Sequence, residues 1–136
     1  MGDDQEKKAN ILVADDDPEV LRSVQEVLNA EGFNAITAKD GKEAYKLLQS
    51  ADSFAVAIFD LVMPHIEGRD LLRYMRSERR FMKIPVIMMT SDLNLRLTSD
   101  SYTSGAVAFL PKPFTDAQLT TMLRMCIKEP PQEPST

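Results

Sequence analysis

Four short apolar runs limit what this chain can fold into: Ile11–Ala14, Val56–Phe59, Val86–Met89 and Val107–Leu110. None alternates polar with apolar residues, and β-branched side chains are frequent in them. Continuous runs of this length fit strands buried on both faces, as in a parallel sheet. A fifth candidate, Phe33–Ala38, is more mixed and suits an edge strand.

Helical patterns separate the runs. Asp17-Pro18 is an N-cap followed by proline at the first helical position, and Val20, Leu21, Val24, Val27 and Leu28 then recur at helical spacing. Gly32 supplies a C-terminal stop. Asp40 and Glu43 open a second helix with a capping-box pattern, and Ala44, Leu47 and Leu48 face inward. Leu71, Leu72 and Met75 mark a third. A fourth over Leu93–Ser104 is expected to be short and labile, because its Ser, Thr and Asp side chains compete for backbone hydrogen bonds. Thr115 and Gln118 open the fifth, which carries Leu119, Met122, Leu123, Cys126 and Ile127. The order is βα repeated five times. Right-handed crossovers make that a doubly wound α/β sheet with helices on both faces.

With 136 residues, the chain has room for one ordinary domain. Residues 10–128 are expected to form it. The segment 1–9 and the proline-rich tail 129–136 carry little that could be buried and are expected to be flexible. The net charge of −5 argues against direct nucleic-acid binding by this domain and suits a cation or a basic partner. No apolar stretch approaches the roughly 20 residues of a membrane span. A single cysteine, Cys126, and no signal core point to a reducing, cytoplasmic setting.

In a doubly wound sheet the working site lies beyond the C-terminal ends of the strands. The polar residues predicted there are Asp15, Asp16 and Asp17 after the first strand, Asp60 after the third, Thr90 and Ser91 after the fourth, and Lys112 after the fifth. Clustered carboxylates repel one another, and a divalent cation resolves the conflict. Oxygen-only donors suit a hard ion such as Mg²⁺. A cation and a lysine that neutralise phosphoryl oxygens, with a carboxylate in line, are the parts phosphoryl transfer needs.

The motifs ILVADDD, IFDLVMPHIEG, VIMMTS and FLPKPF, in this order and at these separations, resemble the receiver domain of two-component response regulators. The resemblance covers about residues 10–128. It implies a flavodoxin-like five-stranded parallel sheet of order 2-1-3-4-5. Asp60 would be the phosphoacceptor. Mg²⁺ would be held by Asp16, by Asp15 partly through water, by Asp60 and by the backbone carbonyl of Val62. Thr90 would hydrogen-bond a phosphoryl oxygen. Lys112 would pair with the acceptor carboxylate and then with the phosphoryl group, and its bond to Pro113 is expected to be cis. Phe109 occupies the switch position, and Val62 and Asp92 the two positions that tune hydrolysis. An apolar Val62 orients no water, so slow autodephosphorylation is expected.

The resemblance also implies partners. His65 is the only histidine and is read as a solvated loop residue, so a histidine kinase or a histidine phosphotransfer protein must donate. The signal would pass to a downstream protein target, or to an output domain beyond this chain, through the face of the fourth helix, fifth strand and fifth helix. The same face could form a homodimer. The domain is expected to be a phosphoacceptor and not an enzyme with an external substrate. A haloacid-dehalogenase-type phosphatase needs a second Asp two residues after the nucleophile, where this chain has Val62. The alternative is a phosphorylation-independent pseudo-receiver interaction module; such receivers usually lose the acidic pair, the acceptor or the lysine, and this chain has all of them.

Overall fold

A computed structural model describes residues 8–50, 53–91 and 108–127. The fourth predicted helix, Asp92, residues 1–7 of the N-terminal segment and the tail 129–136 lie outside the described residues.

The strands are β1 (Asn10–Ala14), β2 (Asn34–Ala38), β3 (Val56–Asp60), β4 (Val86–Thr90) and β5 (Ala108–Pro111). All neighbouring pairs are parallel, in the order β2-β1-β3-β4-β5. Three of the four unalternated runs become the central strands β1, β3 and β4, whereas the fourth becomes β5, an edge strand that is only partly buried because one of its sides has no neighbouring strand. Every residue of β3 and β4, and all of β1 but Asn10, is buried. The mixed run becomes the edge strand β2. Side chains alternate across the sheet, so each run feeds two cores. Leu12, Ala14, Ala57, Phe59 and Met88 pack with α2 (Gly41–Leu48) and α3 (Gly68–Ser77). Ile11, Val13, Ile58, Ile87 and Met89 pack with α1 (Pro18–Ala30) and the C-terminal helix (Asp116–Ile127).

The helix ends are built by the expected caps. The Asp17 side chain accepts from the Glu19 N–H at 2.9 Å, with Pro18 opening α1. Gly32, at φ 91°, turns the chain out of α1, and the Phe33 N–H donates back to the Leu28 carbonyl. Asp40 accepts from the Glu43 N–H at 2.8 Å, while Glu43 reaches one residue beyond the cap and accepts from the Lys39 N–H at 2.7 Å. Thr115 and Gln118 satisfy each other's N–H groups at 3.1 and 2.9 Å. The caps at Asp17, Asp40 and Thr115 orient the loops at the C-terminal edge of the sheet, where the polar residues gather.

Candidate functional site

Register brings the acidic residues together. β1 and β3 are paired in parallel up to Ala14 and Phe59. The next residue along each strand is an aspartate, so Asp15 and Asp60 emerge side by side from the same edge. Asp15 is fully buried, Asp60 is 8% exposed and Thr90 2% exposed. Asp16 is exposed. One carboxylate oxygen from each of Asp15, Asp16 and Asp60 lies within 4.8 Å of the others.

Lys112 reaches into this cluster from the end of β5. Its Nζ donates to Asp15 Oδ2 at 2.6 Å and to Asp60 Oδ2 at 3.3 Å. The expectation was a pairing with the acceptor; the shorter bond goes to Asp15. That preference has a local cause. Asp15 is wholly desolvated and must be satisfied by protein groups. Its Oδ1 accepts the Asp17 N–H at 2.9 Å, and Lys112 serves its Oδ2. Asp60 retains some exposure, and its Oδ1 accepts the Val62 N–H at 3.3 Å. The Lys112–Pro113 bond is cis, as expected. The Lys112 N–H donates to the Thr90 carbonyl at 2.8 Å, which ties the lysine to the end of β4.

The electrostatics follow from this crowding. Burial, and next the Asp15 charge, push the Asp60 pKa up to about 6, against the weaker pull of Lys112 and the Val62 N–H. Burial works to lower the Lys112 pKa, but its bonds and charge contacts with Asp15 and Asp60 outweigh that and raise it. A single ammonium therefore leaves the three carboxylates under-neutralised.

The other expected residues occupy distinct places. Phe109 is half-buried and packs against the core shared with α2 and α3. Val62 stands at the mouth of the site and is 50% exposed. His65, in the same loop, is exposed and has φ 69°, a left-handed conformation rare outside glycine. Asp17 was read only as a helix cap, and its second role on Asp15 was missed. The signal was present in the run Asp15-Asp16-Asp17, since a buried strand-end carboxylate commonly takes the N–H two residues on. An open cleft of about 410 Å³, lined by Asp17, Glu19, Ser91, Lys112 and Phe114 among others, adjoins the cluster.

Residues 11–124 match the family described as the response regulator receiver domain. The transcriptional regulatory protein CpxR of Escherichia coli (strain K12) is 37% identical over 125 residues, covering 87% of this chain and 49% of CpxR. The transcriptional regulatory protein FixJ of Bradyrhizobium diazoefficiens is 32% identical over 122 residues, covering 90% of this chain and 58% of FixJ. The chain thus spans about half the length of these curated relatives. A CheY-like receiver domain protein from Methanospirillum hungatei JF-1 superimposes with a TM-score of 0.84 at 28% identity, covering 90% of this chain and 96% of that one. The sheet order, the strand-end carboxylates and the match over residues 11–124 agree: this chain belongs to the receiver domain family of two-component response regulators.

Proposed function

We propose that Asp60 accepts a phosphoryl group from the phosphohistidine of a histidine kinase or phosphotransfer protein. One observation carries the reading. A nearly buried carboxylate stands at a strand end with an ammonium 3.3 Å away and two further carboxylates within 4.8 Å. A buried carboxylate so placed is costly without a chemical use.

The donor set fits Mg²⁺. It consists of oxygens alone, it carries more negative charge than Lys112 offsets, and a hard divalent ion takes such ligands. Asp16, Asp60 and the Val62 carbonyl would hold the ion directly. Asp15, already bonded through both oxygens to Lys112 and Asp17, would act through water. When bound, Mg²⁺ supplies positive charge to the phosphoryl oxygens.

The protein's own groups do the rest. An Asp60 oxygen attacks phosphorus, the phosphorus–nitrogen bond of the donor breaks, and its electron pair returns to the imidazole. An acyl phosphate is left on Asp60. Lys112 turns to the new phosphoryl oxygens, and the Thr90 hydroxyl donates to one of them. The cleft beside Lys112 admits the donor. Water later hydrolyses the acyl phosphate, so the domain modifies itself and has no other substrate.

The phosphorylated state would be read through Phe109 and the face of β5, the C-terminal helix and the segment between β4 and β5. On this face Met125 is 66% exposed, and Leu110, Pro111, Ala117 and Met122 are among the described residues that line a groove of about 360 Å³. A target protein, an output domain or a second copy would dock there. That CpxR and FixJ are transcriptional regulators supports a transcriptional output for a longer chain carrying this receiver.

The test is incubation with acetyl phosphate and Mg²⁺ followed by intact-protein mass spectrometry. One phosphoryl group should be gained by the wild type and none by Asp60→Asn or by the wild type in chelator. A gain that persists in Asp60→Asn, or no gain at all, defeats the proposal.

A further inference from the structure

The loop between β3 and α3 carries Val62, and it is clamped from outside the site. At the N-terminus of α2, Gly41 is buried against the Ile66 backbone. A Cβ at Gly41 would overlap the Ile66 carbonyl oxygen and come within 2.7 Å of the Ile66 carbonyl carbon and Cβ. Helix propensity does not explain this glycine, because Ala is favoured over Gly in a helix by about 1 kcal/mol. Backbone freedom does not explain it either. Among the described glycines only Gly32 has positive φ. What the position requires is the absence of a side chain.

The loop has no slack to absorb a shift. At one end the Leu61 N–H donates to the Met89 carbonyl at 2.8 Å. At the other the Gly68 N–H donates to the Leu61 carbonyl at 3.1 Å, and a Cβ at Gly68 would come within 3.2 Å of the Leu61 Cα. Ile66 donates to the Pro64 carbonyl at 2.9 Å. Displacement at Ile66 therefore falls on Glu67 and on residues 62–65, where His65 already holds an unfavourable φ. Those residues include Val62, whose N–H donates to Asp60.

We propose that Gly41 is a positioning residue for the Asp60 site. By letting α2 abut the Ile66 carbonyl, it sets where the Val62 backbone stands beside Asp60. The inference rests on the phosphoacceptor reading only for its Mg²⁺ consequence; the effect on the Val62 backbone stands without metal.

The test compares Gly41→Ala with Gly32→Ala. Gly32 is also strained by a side chain, through its φ of 91°, but a Cβ there meets nothing within 4 Å, and Gly32 precedes β2 at the opposite edge of the parallel sheet from the loop that follows β3. Both variants lower the Tm. Gly41→Ala should speed amide hydrogen exchange of Val62 in metal-free protein, while the Leu61 amide, held by the Met89 carbonyl, stays near wild type. It should also weaken Mg²⁺ binding, read by calorimetry, about tenfold, the scale of a lost supporting contact to a metal site. Gly32→Ala should leave both near wild type. If Gly41→Ala does not fold, Ile66→Gly, which loosens the loop and spares α2, should show the same two changes. Equal effects of Gly41→Ala and Gly32→Ala, or a lower Tm with unchanged exchange at Val62, overturn the proposal. Absence of Mg²⁺ binding in the wild type would instead defeat the functional reading, and the exchange result would still decide the role of Gly41.

Discussion

Lys112 Nζ stands 2.6 Å from Asp15 Oδ2, a residue with no solvent exposure, and the lysine side chain itself is only 16% exposed. Such a pair contributes little against a neutral replacement, yet breaking it leaves a buried charge uncompensated. Lys112→Met should therefore lower stability by about 2 kcal/mol in metal-free buffer, below the full cost of a completely buried pair. Mg²⁺ can stand in for the missing positive charge. Urea denaturation with and without Mg²⁺ should show a larger stabilisation by the ion in Lys112→Met than in wild type. An equal increment would mean that Lys112 and the cation do not share a role.

Asp60 makes the metal-free protein sensitive to pH. Its pKa rises from 3.8 to about 6, first through burial. Between these values the folded protein keeps a proton that the unfolded chain has released. The contribution to stability is thus full below pH 3.8 and is lost as pH rises through 6. In metal-free buffer at pH 7.5, Asp60→Asn should be more stable than wild type, and the gap should close towards pH 4. Denaturation series at several pH values measure this. Mg²⁺ needs the ionised carboxylate, so its affinity should fall as pH drops below about 6.

His65 holds φ 69° in an exposed loop. A left-handed backbone costs an L-residue roughly 1–2 kcal/mol, partly offset because glycine loses more entropy on folding. His65→Gly should raise stability by about 0.5 kcal/mol, read as a higher denaturant midpoint at constant slope. A fall in the midpoint would show that the imidazole makes a contact worth more than the strain.

Val62, half exposed at the mouth of the site, has no group to orient water on an acyl phosphate. Hydrolysis of the phosphorylated protein in Mg²⁺ should therefore take minutes. Val62→Asn, which adds a donor and an acceptor of similar size, should shorten that lifetime several-fold. Decay of the phosphorylated mass after desalting measures both. A wild-type half-life of seconds would refute the argument.

Much of this domain was legible residue by residue. The runs around Leu12, Ile58 and Met88 lack alternation, as strands covered on both faces do. Asp17-Pro18, Asp40 with Glu43, and Thr115 with Gln118 announced their helix starts through local hydrogen-bonding chemistry. Asp15, Asp60 and Lys112 could be assigned to one edge because a parallel sheet puts the ends of its strands together. The start of α3 was less visible, since Glu67 is not a favoured cap, although the Glu67 N–H donates to the Asp70 side chain.

The order of elements and their caps were therefore determined by the sequence itself, because each depends on neighbours within a few residues, and the membership of the acidic cluster followed from the parallel order of the strands. Which carboxylate Lys112 prefers, how far Asp60 is desolvated, and why Gly41 has no side chain were decided only by the tertiary structure. Lys112 and Asp15 are 97 residues apart along the chain, and their distance depends on strand register and on the burial of Asp15. The Gly41–Ile66 approach likewise depends on how closely a helix meets a loop. Pattern and propensity place residues on an edge, but only packing sets the ångström distances on which the proposed chemistry of Asp60 depends.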